Sequence, residues 1–320
     1  MKKILAVLLA LALVLGFAGC ANKKDTADTT AASADKGEGL KIVCTIFPQY
    51  DFMRAITKGV DSVELSMLLA PGDESHSYSA TLEDISTINS ADLFIYVGGE
   101  SDEWVEEVLK SAHPKKSIAI AELVETLEES DDGIIAQEEE EEEEGAFDEH
   151  VWTSLKRSSK IVTALGSALA ELDAAHADTY SANAAQYAKQ MQALDQQFTA
   201  LFSTVKNKTL VIADRNPFRY FCEDYGIKAI AAFSGCSSNN EIPLSVQNEL
   251  IKALKENGLK HLYVIELNSS DYADAIAKQA GAEKLVLYSC HNLSKEDFES
   301  GKTYIDFMTA NYETLSTSMA

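Results

Sequence analysis

The chain has 320 residues, 46% hydrophobic and 24% charged, the balance of a folded globular protein rather than a disordered one. Lys and Arg number 27 against 51 Asp and Glu, a formal charge of −24. That argues against nucleic acid, because backbone binding needs clustered cations to displace counterions.

One long apolar run, at the very N-terminus, argues against a multi-span membrane protein, and the length suggests about two domains. Lys2 and Lys3 precede this run, Ile4 to Phe17, which is too short to span a bilayer comfortably; Ala18 and Gly19 are small residues that a signal peptidase accepts. Residues 1–19 therefore read as a signal peptide. The small-small-Cys ending is similar to a bacterial lipobox, with Phe17 where Leu is commoner, and that likeness implies a lipid on Cys20. Residues 20–39, rich in Ser, Thr and Ala, read as a flexible tether. The compartment is then outside the cytoplasm, where disulfides persist. Cys44, Cys222, Cys236 and Cys290 allow three full pairings. Cys236 and Cys290 lie in loop-like stretches of the second half and are the preferred pair. Cys44, inside an apolar strand, reads as a small buried hydrophobe.

Strands and helices alternate next. Leu40 to Phe47 is a β-branched apolar run and reads as a buried strand, followed by a helix over Gln49 to Lys58. Further strands are expected at Ser62 to Leu69, Ala91 to Gly98 and Lys116 to Ala121, with helices at Thr81 to Ser90 and Glu103 to Ser111. Seven consecutive glutamates, Glu138–Glu144, mark a mobile acidic loop within residues 128–145, since like charges at this density repel. Two helices follow, Leu155–Leu172 and Ala175–Ser203, with Ile161, Val162, Leu165, Leu169 and Leu172 at helical spacing. The second half repeats the alternation: strands at Thr209 to Ala213, Lys228 to Phe233, Leu262 to Glu266 and Lys284 to Tyr288. Helices lie between them, at Pro217 to Tyr225, Ser245 to Asn257 and Tyr272 to Ala280, and a terminal helix lies within Phe298 to Met319.

This order predicts an α/β protein of two Rossmann-like lobes with mainly parallel sheets, residues 40–153 and 208–320, joined by a long helical linker over 154–207. A cleft between the lobes is where such sheets bind ligands, outside the carboxyl ends of the strands.

Of the six histidines, His113, His176 and His261 sit near helix ends in solvent-like contexts and read as surface residues. His76, His150 and His291 each lie at a loop edge that the alternation brings toward the cleft. Three imidazoles converging there would suit zinc or another borderline divalent ion. Taken singly, each also reads as a hydrogen-bonded structural side chain.

Two long segments carry a resemblance. Leu68 to Gly98 places a His-Ser-Tyr after a Pro-Gly turn, and Phe147 to Asp173 opens on Asp-Glu-His-Val-Trp before a long helix. The chain from Gly39 onward resembles the zinc and manganese substrate-binding lipoproteins of bacterial ABC importers, the ZnuA/TroA-like family. The resemblance implies a lipid-anchored extracytoplasmic binding protein, monomeric and not an enzyme. It would capture a divalent metal ion, with zinc expected ahead of manganese or iron, and deliver it to an ABC permease with its ATPase subunits. It also implies that His76 and His150 are the first two ligands. The third family position, a His or Glu before Phe-x-Tyr, is here Arg215, which cannot ligate a cation. The fourth, usually Asp in an Asp-Pro-Leu-like turn, is here His291. The expected set is thus His76, His150 and His291, with Asp214, Glu241 or water as the fourth ligand. Asp214 reads equally as a partner of Arg215, and Glu241 as a residue before a Pro that caps a helix. The acidic run stands where many members carry a His- and Asp-rich loop, and it would raise the local cation concentration.

Rival classes are a secreted zinc hydrolase and a surface adhesin. The first would need an open metal position and a base, and the chain holds neither a His-Glu-x-x-His nor a Gly-x-Ser-x-Gly segment. Nothing in the sequence names a partner for the second.

Overall fold

The structure is a computed structural model and describes residues 39–73, 78–136, 146–237, 241–268 and 271–319. The expected signal peptide, Cys20, the tether, His76 and the run Glu138–Glu144 lie outside the described residues.

The first sheet contains β1 (Leu40–Cys44), β2 (Val63–Met67), β3 (Leu93–Tyr96) and β4 (Ser117–Ala119), all parallel, in the order β2-β1-β3-β4. The second contains β5 (Thr209–Arg215), β6 (Lys228–Phe233), β7 (His261–Ile265) and β8 (Glu283–Leu287), all parallel, in the order β6-β5-β7-β8. The two halves therefore repeat one topology. Parallel neighbours require crossover connections. These carry α1 (Phe47–Ile56), α2 (Leu82–Asn89) and α3 (Glu103–Leu109) in the first lobe, and α6 (Arg219–Tyr225), α7 (Leu244–Glu256) and α8 (Asp271–Ala280) in the second. Between the lobes run α4 (Leu155–Leu172) and α5 (Ala177–Thr204). Two C-terminal helices, α9 (Lys295–Glu299) and α10 (Tyr304–Ser318), end the described chain.

Several boundaries differ from the sequence expectation, three of them for clear local reasons. The first strand stops at Cys44, because Pro48 favours the first turn of a helix and the Ile46 N–H donates to Gln49 Oε1 at 3.0 Å. The fourth strand is only three residues, since a 3-10 turn takes over at Ile120–Leu123. The terminal helix is two helices, because Thr303 and Asp306 form a capping box that restarts the chain at α10.

Alternation along the central strands sorts side chains to two buried faces. Ile42 and Cys44 of β1, with Leu210 and Ile212 of β5, enter one large core; Val43, and Val211 with Ala213, face two smaller outer cores. The large core is continuous. It runs from Phe47 and Phe52 through Trp152, Ile161, Tyr180, Phe198 and Phe202 to Phe221 and Tyr304. Both lobes thus pack against the α4–α5 linker as a single apolar body. Asp51 of α1 strengthens the join by accepting from the Tyr187 hydroxyl of α5 and from the Tyr304 N–H of α10. Among the described residues no helix is long and apolar enough to cross a membrane.

Candidate metal centre

In each sheet the strand order reverses beside the first strand, so a crevice opens at the carboxyl ends of β1 and β3, and again of β5 and β7. In the first lobe, Asp102 accepts the Val97 N–H at 2.5 Å and the Gly98 N–H at 3.4 Å. Glu149 is fully buried and accepts from the Ser101 N–H at 2.9 Å and its hydroxyl at 2.6 Å. Gly99 makes that seat: a Cβ there would lie 2.3 Å from Glu149 Cβ.

His150 follows Glu149 and is also fully buried. Its N–H donates to Asp148 Oδ1 at 2.8 Å, and its ring Nδ1 lies 3.2 Å from the same oxygen. This Asp–His pairing orients the ring and leaves Nε2, also buried, as the atom away from Asp148. Gly235 closes over the ring, since a Cβ there would meet His150 Cε1 at 3.0 Å.

The second lobe supplies the other imidazole. The turn after β8 is held by Glu266, which accepts the Ser289 N–H and hydroxyl, each at 2.6 Å. Trp152 Nε1–H donates to Ser289 O at 2.9 Å, and the His291 N–H donates to Ser289 Oγ at 3.2 Å. Cys290 sits in the left-handed region at φ 61, a conformation that persists only where neighbours hold it. The His291 ring lies 5.4 Å from that of His150, edge to face, and 5.0 Å from Trp152. Next in the chain, Asn292 Nδ2 donates to Ala70 O at 3.2 Å and Asp73 O at 2.5 Å. One turn of the second lobe thus binds the loop of the first lobe that leads toward His76.

The structure therefore brings His150 and His291 together, while His76 lies outside the described residues. Asp214 sits at the end of β5, where it accepts from the Asn268 amide and from the Arg215 N–H at 2.9 Å. The Arg215 side chain donates to Ser237 O at 3.2 Å. Glu241 is exposed ahead of α7, whose N-cap, Pro243, makes no side-chain cap bond.

The expected Cys236–Cys290 disulfide is corrected: both are free thiols, and so are Cys44 and Cys222. Cys290 belongs to the large apolar core. Cys236 instead places its sulfur among polar groups. Its sulfur and ligand atoms of Glu149 and His150 lie within 4.8 Å of one another, and so do its sulfur and those of Glu100 and Glu129. The two thiols serve different neighbourhoods. Sequence reasoning missed Glu149, Glu100 and Glu129; only Glu149, one residue from His150, carried a local signal.

The field is strongly negative. Burial, then the Glu149 charge, pushes Asp102 up to about 7. Burial, then Glu100, Asp148 and Glu149, pushes Glu129 up to about 7. Burial raises Glu266 and Asp214 above the usual carboxylate range. Burial pushes the His150 imidazole down, but the Asp148 charge and hydrogen bond, with Glu149, outweigh it and leave the net shift upward; Arg215 opposes them. A site this negative favours a cation, and imidazole nitrogen favours a borderline one.

Known proteins resemble this chain along most of its length. The family described as zinc-uptake complex component A, periplasmic, matches residues 42–318. The chain is similar to the zinc-binding protein AdcA of Streptococcus pyogenes serotype M18, 32% identical over 301 residues, 89% of this chain and 57% of that protein. The chain thus spans a little over half the length of the streptococcal relatives it matches. It is 31% identical to the high-affinity zinc uptake system protein ZnuA of Bacillus subtilis, over 94% of this chain and 93% of that one. Among solved structures, the Zn(II)-bound ZnuA-like domain of Streptococcus pneumoniae AdcA is similar at a TM-score of 0.74 and 29% identity, covering 88% of this chain and 99% of that domain.

Proposed function

The chain belongs to the zinc-uptake complex component A family, and from that premise we propose that it is the extracytoplasmic solute-binding component of an ABC importer, with zinc as its cargo. Its work is capture and delivery rather than turnover. The observation that carries this reading is the pair of buried imidazoles, one from each side of the cleft, 5.4 Å apart. Two nitrogen donors joined by a third suit zinc better than manganese, which prefers more oxygen.

His76, His150 and His291 are the ligands of choice. Asp214, at the end of β5, is the first choice for the fourth position, and the exposed Glu241 the second. Arg215 keeps this place from being a fourth imidazole. A lipid on Cys20 would hold the protein at the membrane, in keeping with the Streptococcus pneumoniae relative AdcA, a zinc-binding lipoprotein. The shared core and the Asn292 bonds across the cleft support a small tilt on loading rather than a wide hinge.

The test is calorimetry on metal-free protein. A tight zinc equivalent is expected that manganese does not displace. Zinc in hundredfold excess over its dissociation constant should stabilise the fold by about 2.7 kcal/mol. Manganese winning the competition would overturn the choice of cargo, and absence of any tight divalent ion would overturn the function.

The permease would read both lobes at once. Leu82 and Leu244 are 87% and 70% exposed, and each is the first residue of the helix after the edge strand of its lobe. We place both in the docking surface. Leu82→Asp and Leu244→Asp should each weaken stimulation of the importer ATPase by about fivefold, for a loss of roughly 1 kcal/mol. Zinc affinity should stay unchanged. Unaltered stimulation in the double variant would remove these leucines from the interface.

A further inference from the structure

We propose that Glu266 and Leu267 are positioning residues of the cargo centre: the left-handed backbone at Leu267 aims Glu266 at the turn that carries His291, and Asn268 at Asp214. The inference rests on the reading of His291 as a ligand. It starts from backbone strain. Among the described residues other than glycine, only Leu267, at φ 62, and Cys290, at φ 61, lie in the left-handed region. A Cβ crowds the following carbonyl there, so the conformation is unfavourable for Leu and Cys and persists only where the surroundings impose it.

Both strained residues fall on one contact. Leu267 follows Glu266 just past the end of β7, and Cys290 follows Ser289 just past the end of β8. The Glu266 carboxylate accepts the Ser289 N–H and hydroxyl, each at 2.6 Å. Ser289 in turn accepts the His291 N–H on its Oγ at 3.2 Å and the Trp152 indole N–H on its carbonyl at 2.9 Å. This one contact therefore joins the two strained turns and sets the backbone of His291.

The turn at Leu267 also works in the other direction. In the sheet β7 lies between β5 and β8. In a continuing strand Glu266 and Asn268 would point to the same face. With the left-handed residue between them, Glu266 reaches the turn after β8, and the Asn268 amide donates to Asp214 at the end of β5. Three consecutive residues thus serve His291 on one side and the first choice for the fourth ligand on the other. The Leu267 side chain is 49% exposed, so the hydrogen bonds of its neighbours, rather than its own packing, hold the conformation. Removing the Glu266 bonds should let both turns relax together and take His291 out of place.

Zinc calorimetry on the metal-free full chain tests this. Glu266→Gln keeps the shape, but an amide nitrogen cannot accept, so one of the two Ser289 bonds is lost. Zinc should bind about 10- to 100-fold more weakly. Leu267→Val should also weaken it, because a β-branched residue resists the left-handed region. Leu267→Gly adopts that region freely and is the backbone-conservative control, expected to bind like the wild type. In the His291→Ala background Glu266→Gln should cost no more than about twofold, because no ring is left to position. Circular dichroism checks the folds; should Glu266→Gln not fold, the exposed Leu267 pair decides.

Zinc binding of wild-type strength in Glu266→Gln overturns the role of Glu266. Leu267→Val binding as tightly as Leu267→Gly overturns that of Leu267. Fully additive losses from Glu266→Gln and His291→Ala would make Glu266 a general support of the fold and overturn the inference. Each of these results leaves the zinc reading standing. Wild-type affinity in His291→Ala is the result that sinks the ligand assignment, and this inference with it.

Discussion

Alanine in place of His150 or His291 is expected to weaken zinc binding by roughly 100- to 1,000-fold. Zinc bound by four protein ligands at neutral pH is worth about 10–16 kcal/mol, so one ligand carries roughly 3–4 kcal/mol, and about 1.4 kcal/mol is a tenfold change. Neither loss can be made good locally. His150 is fully buried between Gly235 and Trp152, and His291 is set by a turn that Glu266, Trp152 and Asn292 all hold. The folds of both variants should survive, which circular dichroism would check. His291→Asp makes the sharper test. It exchanges a nitrogen for an oxygen donor, so part of the affinity should return while selectivity moves toward manganese. Competition calorimetry reads both effects, and zinc binding of wild-type strength in either alanine variant would remove that residue from the centre.

The second large effect is on stability against pH. The metal-free protein is expected to be more stable near pH 5.5 than near pH 8, the reverse of the usual behaviour of a protein held by paired carboxylates. Asp102 is the chief cause. Its carboxyl is pushed from 3.8 up to about 7, first by burial and then by the Glu149 charge. Between those values the folded state holds a proton that the unfolded state has released, so stability rises as pH falls through about 7 and is fully regained near 4. At about 1.4 kcal/mol per pH unit, the span amounts to roughly 4 kcal/mol as an upper figure. The raised Asp51, Asp214 and Glu266 act in the same direction. His150 also does: its raised value makes its protonated form a source of stability that is lost as pH climbs. Asp92, Asp173 and Asp297 are lowered, so their effect falls below about pH 4, outside this window.

Urea unfolding with a chelator present would measure the trend, and Asp102→Asn should flatten it. A wild-type profile that instead rises from pH 5.5 to 8 would refute the account. Zinc should reverse the slope, because bound imidazoles must be deprotonated.

The secondary structure was largely legible because it is local. Short apolar runs such as Leu40–Cys44 and Leu93–Tyr96, too short for a helix, read as buried strands, and the apolar spacing of Ile161 to Leu172 is that of one helix face. The errors fell where a single side chain redirects the backbone, as Pro48 and Gln49 do at the start of α1 and Thr303 with Asp306 at α10. The site was partly legible. His150 and His291 stood out because each lies at a loop edge beside the cleft, a property of chain order. Cys236 was misassigned because sequence carries no direction for a side chain. Two cysteines in loops look alike until one is found in the apolar core and the other among Glu100, Glu129, Glu149 and His150.

By itself, then, the sequence determined the repeated strand–helix order and the linker, which follow from composition and periodicity along the chain, while the resemblance of Leu68–Gly98 and Phe147–Asp173 pointed to the family, and loop-edge position to two of the imidazoles that meet. Only the tertiary structure decided what surrounds them. The seat that Gly99 leaves for Glu149, the buried Asp102 beside it, the grip of Asn292 across the cleft and the thiol between two acidic groups all depend on residues dozens to hundreds of positions apart. Desolvation and charge act through space, and which groups share that space is settled by how the two sheets pack on α4 and α5.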